Sequence, residues 1–154
     1  MRYEMLLSEA FSEGIHVSEE YIEGNRIKGL YSDNVIWISD KLKTNTEKYC
    51  VLAEELGHYH TTEGDIIDQS PIVNRKQELR ARLWAYEKAV SLSKVIQAHK
   101  LYIRNKFELA DYLGVTEYFL EKAIERYKEI HGLTVNHNGY TICFEPLGVI
   151  EWFE

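Results

Sequence analysis

The sequence predicts an α+β fold that is mainly helical, with a small β-sheet near the N-terminus and a β-hairpin at the C-terminus. Residues 27–31 and 35–38 both contain β-branched and aromatic residues, and a Ser-Asp-Asn turn cluster separates the two runs. This pattern is typical of a β-hairpin. From residue 44 to 132 the chain instead carries repeated helix start and stop signals. The tail, 133–153, surrounds Asn138-Gly139, a pair that favours a two-residue hairpin turn.

The first half of the chain contains one helix whose start is well marked. Residues 1–25 predict one or two short helices, interrupted at Gly14. Farther on, Thr44 and Glu47 stand at capping-box spacing, where each side chain can satisfy a backbone donor of the other residue. A helix is therefore expected from this point to about residue 60.

The second half predicts a loop and three helices. Residues 61–74 lack periodicity and predict a loop, whereas 75–95 predict one long helix. Asn105 and Gly114 mark the start and the end of a short helix, and Thr116 begins another that reaches about residue 130. The apolar stripe of that last helix consists of Phe119, Leu120, Ala123, Ile124 and Tyr127.

Length and composition indicate one domain with a C-terminal appendage. The 154 residues are 45% hydrophobic, which is enough for a core. We expect a core over 1–104 and, over 105–154, a helical segment plus a hairpin packed on that core. The N-terminus carries acids where a signal peptide needs an apolar run, and no stretch approaches the roughly 20 apolar residues that span a bilayer. With two distant cysteines, a reduced cytoplasmic protein without a membrane anchor is expected.

The net charge of −7 is unevenly distributed. It is −8 over residues 1–73, +7 over 74–106 and −6 over 107–154. This balance disfavours direct nucleic-acid binding, which depends on cations that meet phosphate. The acidic C-terminal third favours a basic protein partner instead.

Three residues of the predicted helix 44–60 could do chemistry together. Glu54 and His58 lie four residues apart, so they share one helix face and could hold one metal ion, with Glu55 beside them as a general base. This is the spacing of the H-E-x-x-H motif with Glu54 in place of the first His, and carboxylate oxygens also coordinate zinc. The alternative is an acidic, solvated helix face, which is common.

Gly57 supports the chemical interpretation. A glycine inside a helix costs roughly 1 kcal/mol relative to alanine, so a close neighbour would explain it. A third ligand must come from elsewhere, and Glu78 is the candidate because Ala81 and Ala85 share its helix face and permit a close approach. The alternative is that Glu78 only complements the positive N-terminal end of its own helix.

The stretches 29–38 and 52–60 resemble the ImmA/IrrE family of metallopeptidases, in which a strand hairpin precedes an H-E-L-G-H helix. In that family a later helix of the form E-x-x-A-x-x-[FW]-A supplies the third metal ligand. Here that form is met by Glu78, Ala81, Trp84 and Ala85. The resemblance extends over roughly residues 26–90.

The resemblance implies a zincin-like core in which Glu54, His58 and Glu78 hold zinc and Glu55 activates a water molecule. It also implies a zinc-dependent endopeptidase that cleaves a helix-turn-helix repressor of a phage or mobile element. Two carboxylates and one imidazole neutralise a divalent ion, so the bound water is expected to be less acidified than with two imidazoles. A slower hydrolase is therefore predicted, or one that prefers manganese.

Two further features allow other interpretations. If the helix ended at Tyr59, His60 could turn inward and either replace the missing imidazole or stabilise the oxyanion. Asp65 and Asp68 are remoter ligand candidates. Residues 105–131 resemble a helix-turn-helix, but their net charge is −2, so packing or protein docking is favoured over DNA reading. The alternatives to a peptidase are therefore an impaired homologue that binds and titrates a repressor, and a helix-turn-helix transcription regulator.

Overall fold

The computed structural model describes residues 2–61 and 71–152, except for the side chains of 71–73. These ranges contain six helices and six strands, which confirms the predicted α+β, mainly helical class. In chain order they are α1 (Arg2–Ser12), β1 (His16–Glu20), β2 (Gly29–Ser32), β3 (Val35–Ser39), α2 (Asn45–Thr61), α3 (Pro71–Ala89), α4 (Leu92–Lys100), α5 (Lys106–Leu113), α6 (Glu117–His131), β4 (Thr134–His137), β5 (Tyr140–Phe144) and β6 (Leu147–Glu151). None of the helices within the described ranges combines the length and the apolar character needed to cross a bilayer.

The chain divides into two compact units, Met1–Ala85 and Tyr86–Glu154. Helix α3 runs across this boundary. The expected division at residue 104 was based on sequence and stays a prediction.

The first unit contains a three-stranded sheet in the order β1-β3-β2. The predicted hairpin is confirmed: β2 and β3 pair antiparallel, with Leu30 opposite Trp37, and Asp33 takes a positive φ in the turn. The prediction of only helices in the first 25 residues was wrong, because His16–Glu20 forms β1, parallel to β3. This strand has no alternating apolar pattern, and its place in the sheet depends on backbone pairing with a distant strand.

Helix α2 packs against β2 and β3 and begins and ends as predicted. The Thr44 hydroxyl accepts a hydrogen bond from the Glu47 backbone N–H at 3.1 Å and donates one to the Glu47 carboxylate, also at 3.1 Å. Ile36 and Ile38 of the sheet are fully buried, as is Leu52 of α2. Helix α2 is therefore held against the sheet by apolar contacts.

The region of the predicted loop and long helix differs from expectation. The part of the loop at 62–70 lies outside the described residues, and α3 begins at Pro71, earlier than predicted. The long helix is in fact two, because Ser91 caps a new helix by accepting a hydrogen bond from the Lys94 N–H at 3.2 Å. The sequence carried this signal, since serine is a favoured N-cap residue.

The second unit follows the predicted helix signals closely. Asn105 caps α5, Gly114 ends it with a left-handed conformation, and Thr116 caps α6. The predicted apolar stripe of α6 is buried throughout. The β4–β5 hairpin turns at Asn138-Gly139, both with positive φ, and β6 adds a third strand that was not predicted.

Candidate active site

The backbones of α2 and α3 approach each other closely at Gly57. A methyl group at this position would lie 2.1 Å from the Ala81 carbonyl oxygen, a distance that no real contact allows. Ala81 and Ala85 are fully buried, as a close approach requires. The inference that Gly57 reflects a close neighbour is confirmed. As a consequence Glu78, one turn before Ala81, lies beside the C-terminal half of α2.

His58 and Glu78 are in direct contact across the two helices. The distance between His58 Nε2 and Glu78 Oε1 is 3.0 Å. The other carboxylate oxygen of Glu78, Oε2, lies 3.3 Å from Arg82 Nε, one turn farther along α3. Two of the three predicted metal ligands therefore meet, and the carboxylate of one of them is bound on both oxygens by protein groups.

Glu54 is partly buried on α2, and burial raises the pKa of its carboxyl group. The positive charge of Arg82 opposes this effect, Glu78 adds to it, and Lys28 opposes it to a smaller extent. Glu54 therefore shares an electrostatic environment with Glu78, another of the predicted ligands. One imidazole and two carboxylates are suitable donors for zinc or manganese.

These donors are not assembled into a complete metal site. Across the described ranges, no three His, Cys, Asp or Glu side chains stand close enough together to hold a metal ion. The donors fit a divalent ion by their chemistry, and two of the three, His58 and Glu78, are already in contact. The assignment of Glu54, His58 and Glu78 as metal ligands stays a prediction.

Glu55 lies against strand β2. A methyl group at Gly29 would lie 3.0 Å from Glu55 Oε1 and 2.7 Å from Val51 Cγ1, so glycine is needed for this strand to approach the helix. Burial, followed by the negative charges of Glu54 and Glu78, raises the pKa of Glu55 to about 7. A carboxyl group that titrates near neutral pH is well suited to general-base catalysis.

The raised pKa of Glu55 predicts a pH-dependent effect of Glu55→Gln on stability. The folded-state pKa is about 7 and the ordinary value 4.5, so folding of the wild type weakens as the pH rises between them. In buffer with a chelator, we expect Glu55→Gln to raise the free energy of unfolding by about 1–3 kcal/mol at pH 8 and to change it little at pH 4.5. Urea denaturation at both pH values measures this, with Glu121→Gln on α6 as control. Equal effects of Glu55→Gln at both pH values would contradict the prediction.

His60 does not take the position of the missing imidazole. Helix α2 continues to Thr61, so the condition for an inward turn is not met. The His60 ring stacks on Trp84 with centroids 4.7 Å apart, and its Nε2 lies 3.1 Å from Glu13 Oε2. His60 thus joins α2 to α3 and to the end of α1. The remoter ligand candidates, Asp65 and Asp68, lie outside the described residues.

Three residues of this site, Gly29, Lys28 and Arg82, were not predicted from the sequence. Arg82 had a usable signal, because Glu78 and Arg82 have the i,i+4 spacing of a helical ion pair. Gly29 and Lys28 had none, because their proximity to α2 depends on how β2 packs.

The helix-turn-helix-like segment is a packed pair of helices, α5 and α6. Its apolar residues face inward, while the exposed side includes Tyr118, Glu121 and Glu125, the last paired with Lys122. The exposed side thus includes acidic groups, and the absence of direct nucleic-acid binding stays a prediction.

Comparison with known proteins gives one positive result. The model of a family described as the IrrE N-terminal-like domain, Peptidase M78, matches residues 11–125. No curated protein and no solved structure matches the chain significantly.

Proposed function

The chain belongs to the IrrE N-terminal-like Peptidase M78 family, and from this premise we propose that it is a metal-dependent endopeptidase that cleaves a repressor protein of a phage or mobile element. The family supports a function of the metallopeptidase type. The observation that carries the proposal is the position of Glu55. Its carboxyl group is partly buried, packs against Gly29 and has a pKa of about 7. It lies on α2, the helix whose His58 contacts Glu78.

In this proposal Glu54, His58 and Glu78 hold the metal ion, zinc or manganese. When bound, the ion would polarise the peptide carbonyl and acidify a water molecule. Glu55 accepts the proton of the attacking water and returns it to the leaving amine. Glu55 thus acts first as the general base and then as the general acid of the same reaction.

A repressor as the substrate agrees with the charge of the chain. Residues 107–154 carry a net charge of −6, and a DNA-binding repressor presents basic surface to phosphate. Electrostatic attraction between the two would speed their encounter and weaken with salt. We place the reaction in the cytoplasm, where such a repressor binds DNA.

A second candidate function is that of an impaired homologue which binds and titrates the repressor without cutting it. Two observations favour it: Glu54 stands where the family motif has histidine, and Arg82 binds the carboxylate of Glu78. The third candidate, a DNA-reading regulator, is disfavoured by the acidic exposed residues of α5 and α6.

The test is to incubate the protein with the repressor encoded beside its own gene, with added zinc, with added manganese, or with a chelator. We expect repressor fragments of defined mass with one of the metals and none with the chelator, measured by mass spectrometry. Glu54→His, which restores the family motif, is the matched variant and should cleave at least as fast. A stable complex without fragments under every condition would favour the titrating homologue. If the experiment gave neither a complex nor fragments, both functions would be contradicted.

A further inference from the structure

Arg82 forms an ion pair with Glu78, one of the proposed metal ligands. We propose that its guanidinium group is an internal competitor of the metal ion: it occupies Glu78 and so restrains metal binding at this site. This inference rests on the proposed function, since it concerns the same site.

The contacts of Glu78 support competition. A metal ion needs at least one carboxylate oxygen of Glu78, and both are engaged, Oε1 by His58 at 3.0 Å and Oε2 by Arg82 at 3.3 Å. His58 is itself a predicted ligand, so its contact with Glu78 would be replaced by the ion. Arg82 is different, because it brings a full positive charge that a bound metal ion would repel.

The charge around Glu54 leads to the same conclusion. The glutamate at this position adds a negative charge to the site, and the positive charges of Arg82 and Lys28 both act on its carboxyl group. Arg82 therefore already offsets part of the negative charge that would attract a divalent ion.

The exposure of the pair limits how strong the restraint is. The side chains of Arg82 and Glu78 are 52% and 48% exposed, and ion pairs between such groups are weak and screened by salt. A metal ion can therefore displace Arg82, which makes the restraint a graded one rather than a block.

The opposite role would be that Arg82 positions Glu78 for the metal ion. Hydrogen-bond partners of metal ligands orient those ligands, and losing one typically weakens metal binding about 10–100-fold. The two roles predict changes of opposite sign in metal affinity. A role in folding alone predicts no change in the affinity of the folded protein.

The experiment measures the affinity of the full chain for Zn²⁺ and Mn²⁺ by competition with a chromophoric chelator. Arg82→Met, which keeps an aliphatic stem and removes the charge, should bind the ions about threefold to tenfold more tightly than wild type. This gain should shrink in 1 M salt. Arg80→Met, on the same helix with the same change in net charge, is the matched control and should gain less. Arg82→Gln replaces Arg82→Met if circular dichroism finds the latter unfolded.

Unchanged or weaker binding by Arg82→Met would overturn the inference, and would leave the proposed function standing if wild type binds a metal and cleaves the repressor. If neither protein binds a metal, the inference is also overturned. The double variant Glu54→His, Arg82→Met then tests the site itself. Metal binding by this variant would show that Glu54 is what prevents binding in wild type, and no metal binding would count against the proposed metal site.

Discussion

Glu55→Gln is expected to slow cleavage of the repressor by about 10²–10⁴-fold, the usual contribution of a positioned general base. Glutamine has nearly the same shape as glutamate but cannot accept the proton of the attacking water. Because Glu55 is not among the predicted ligands, metal affinity should change little. Single-turnover cleavage rates at pH 7 measure the effect, and the complex with the repressor should form as in wild type.

Two comparisons make this prediction specific. Glu4→Gln removes an acidic side chain from the exposed face of α1, outside the acidic segment 107–154, and should cleave at the wild-type rate. Glu55→Asp keeps the carboxyl group but withdraws it from the substrate by one methylene. Its cleavage rate should therefore fall between the wild-type rate and that of Glu55→Gln. A Glu55→Gln variant that cleaves as fast as wild type would show that another group is the base.

Gly57→Ala is expected to lower the free energy of unfolding by about 2–3 kcal/mol. The added methyl group would lie 2.1 Å from the Ala81 carbonyl oxygen. This neighbour is backbone and cannot rotate away, so α2 and α3 must separate, and overpacking of this kind costs about 1–3 kcal/mol or more. The better helix propensity of alanine recovers at most about 1 kcal/mol. Thermal unfolding should show a decrease in Tm of about 6–12 °C.

Separation of the helices should also disturb the site. The contact between His58 and Glu78 spans α2 and α3, so Gly57→Ala should weaken metal binding even in the molecules that remain folded. Gly148→Ala is the matched control, because a methyl group there meets nothing within 4 Å. If both substitutions changed stability equally, the close approach at Gly57 would not be limiting.

The features that the sequence predicted well are those decided by neighbours along the chain. The caps at Asn105 and Thr116 and the end at Gly114 depend on backbone groups a few residues away, and all three are confirmed. The turn at Asn138-Gly139 is local in the same sense. The break at Ser91 was equally local, and was missed because the helical periodicity on both sides outweighed a single capping residue.

Strand β1 marks the limit of such local reasoning. Its residues, His16–Glu20, show no apolar alternation. Their conformation follows from parallel pairing with β3, which is separated from β1 in the sequence by β2. Parallel pairing joins segments that are distant in sequence, so the reason for this strand lies outside it.

For the candidate site, the sequence by itself determined the chemistry that is available: Glu54, Glu55 and His58 on one helix, a glycine that demands a close neighbour, and Glu78 on a second helix. Only the tertiary structure decided how these groups are arranged. The contact of Gly57 with Ala81 brings Glu78 to His58, and the packing of β2 encloses Glu55. The physical reason is that helical spacing sets which side chains share a face, whereas burial and charge, which tune a carboxyl group, arise where separate elements meet.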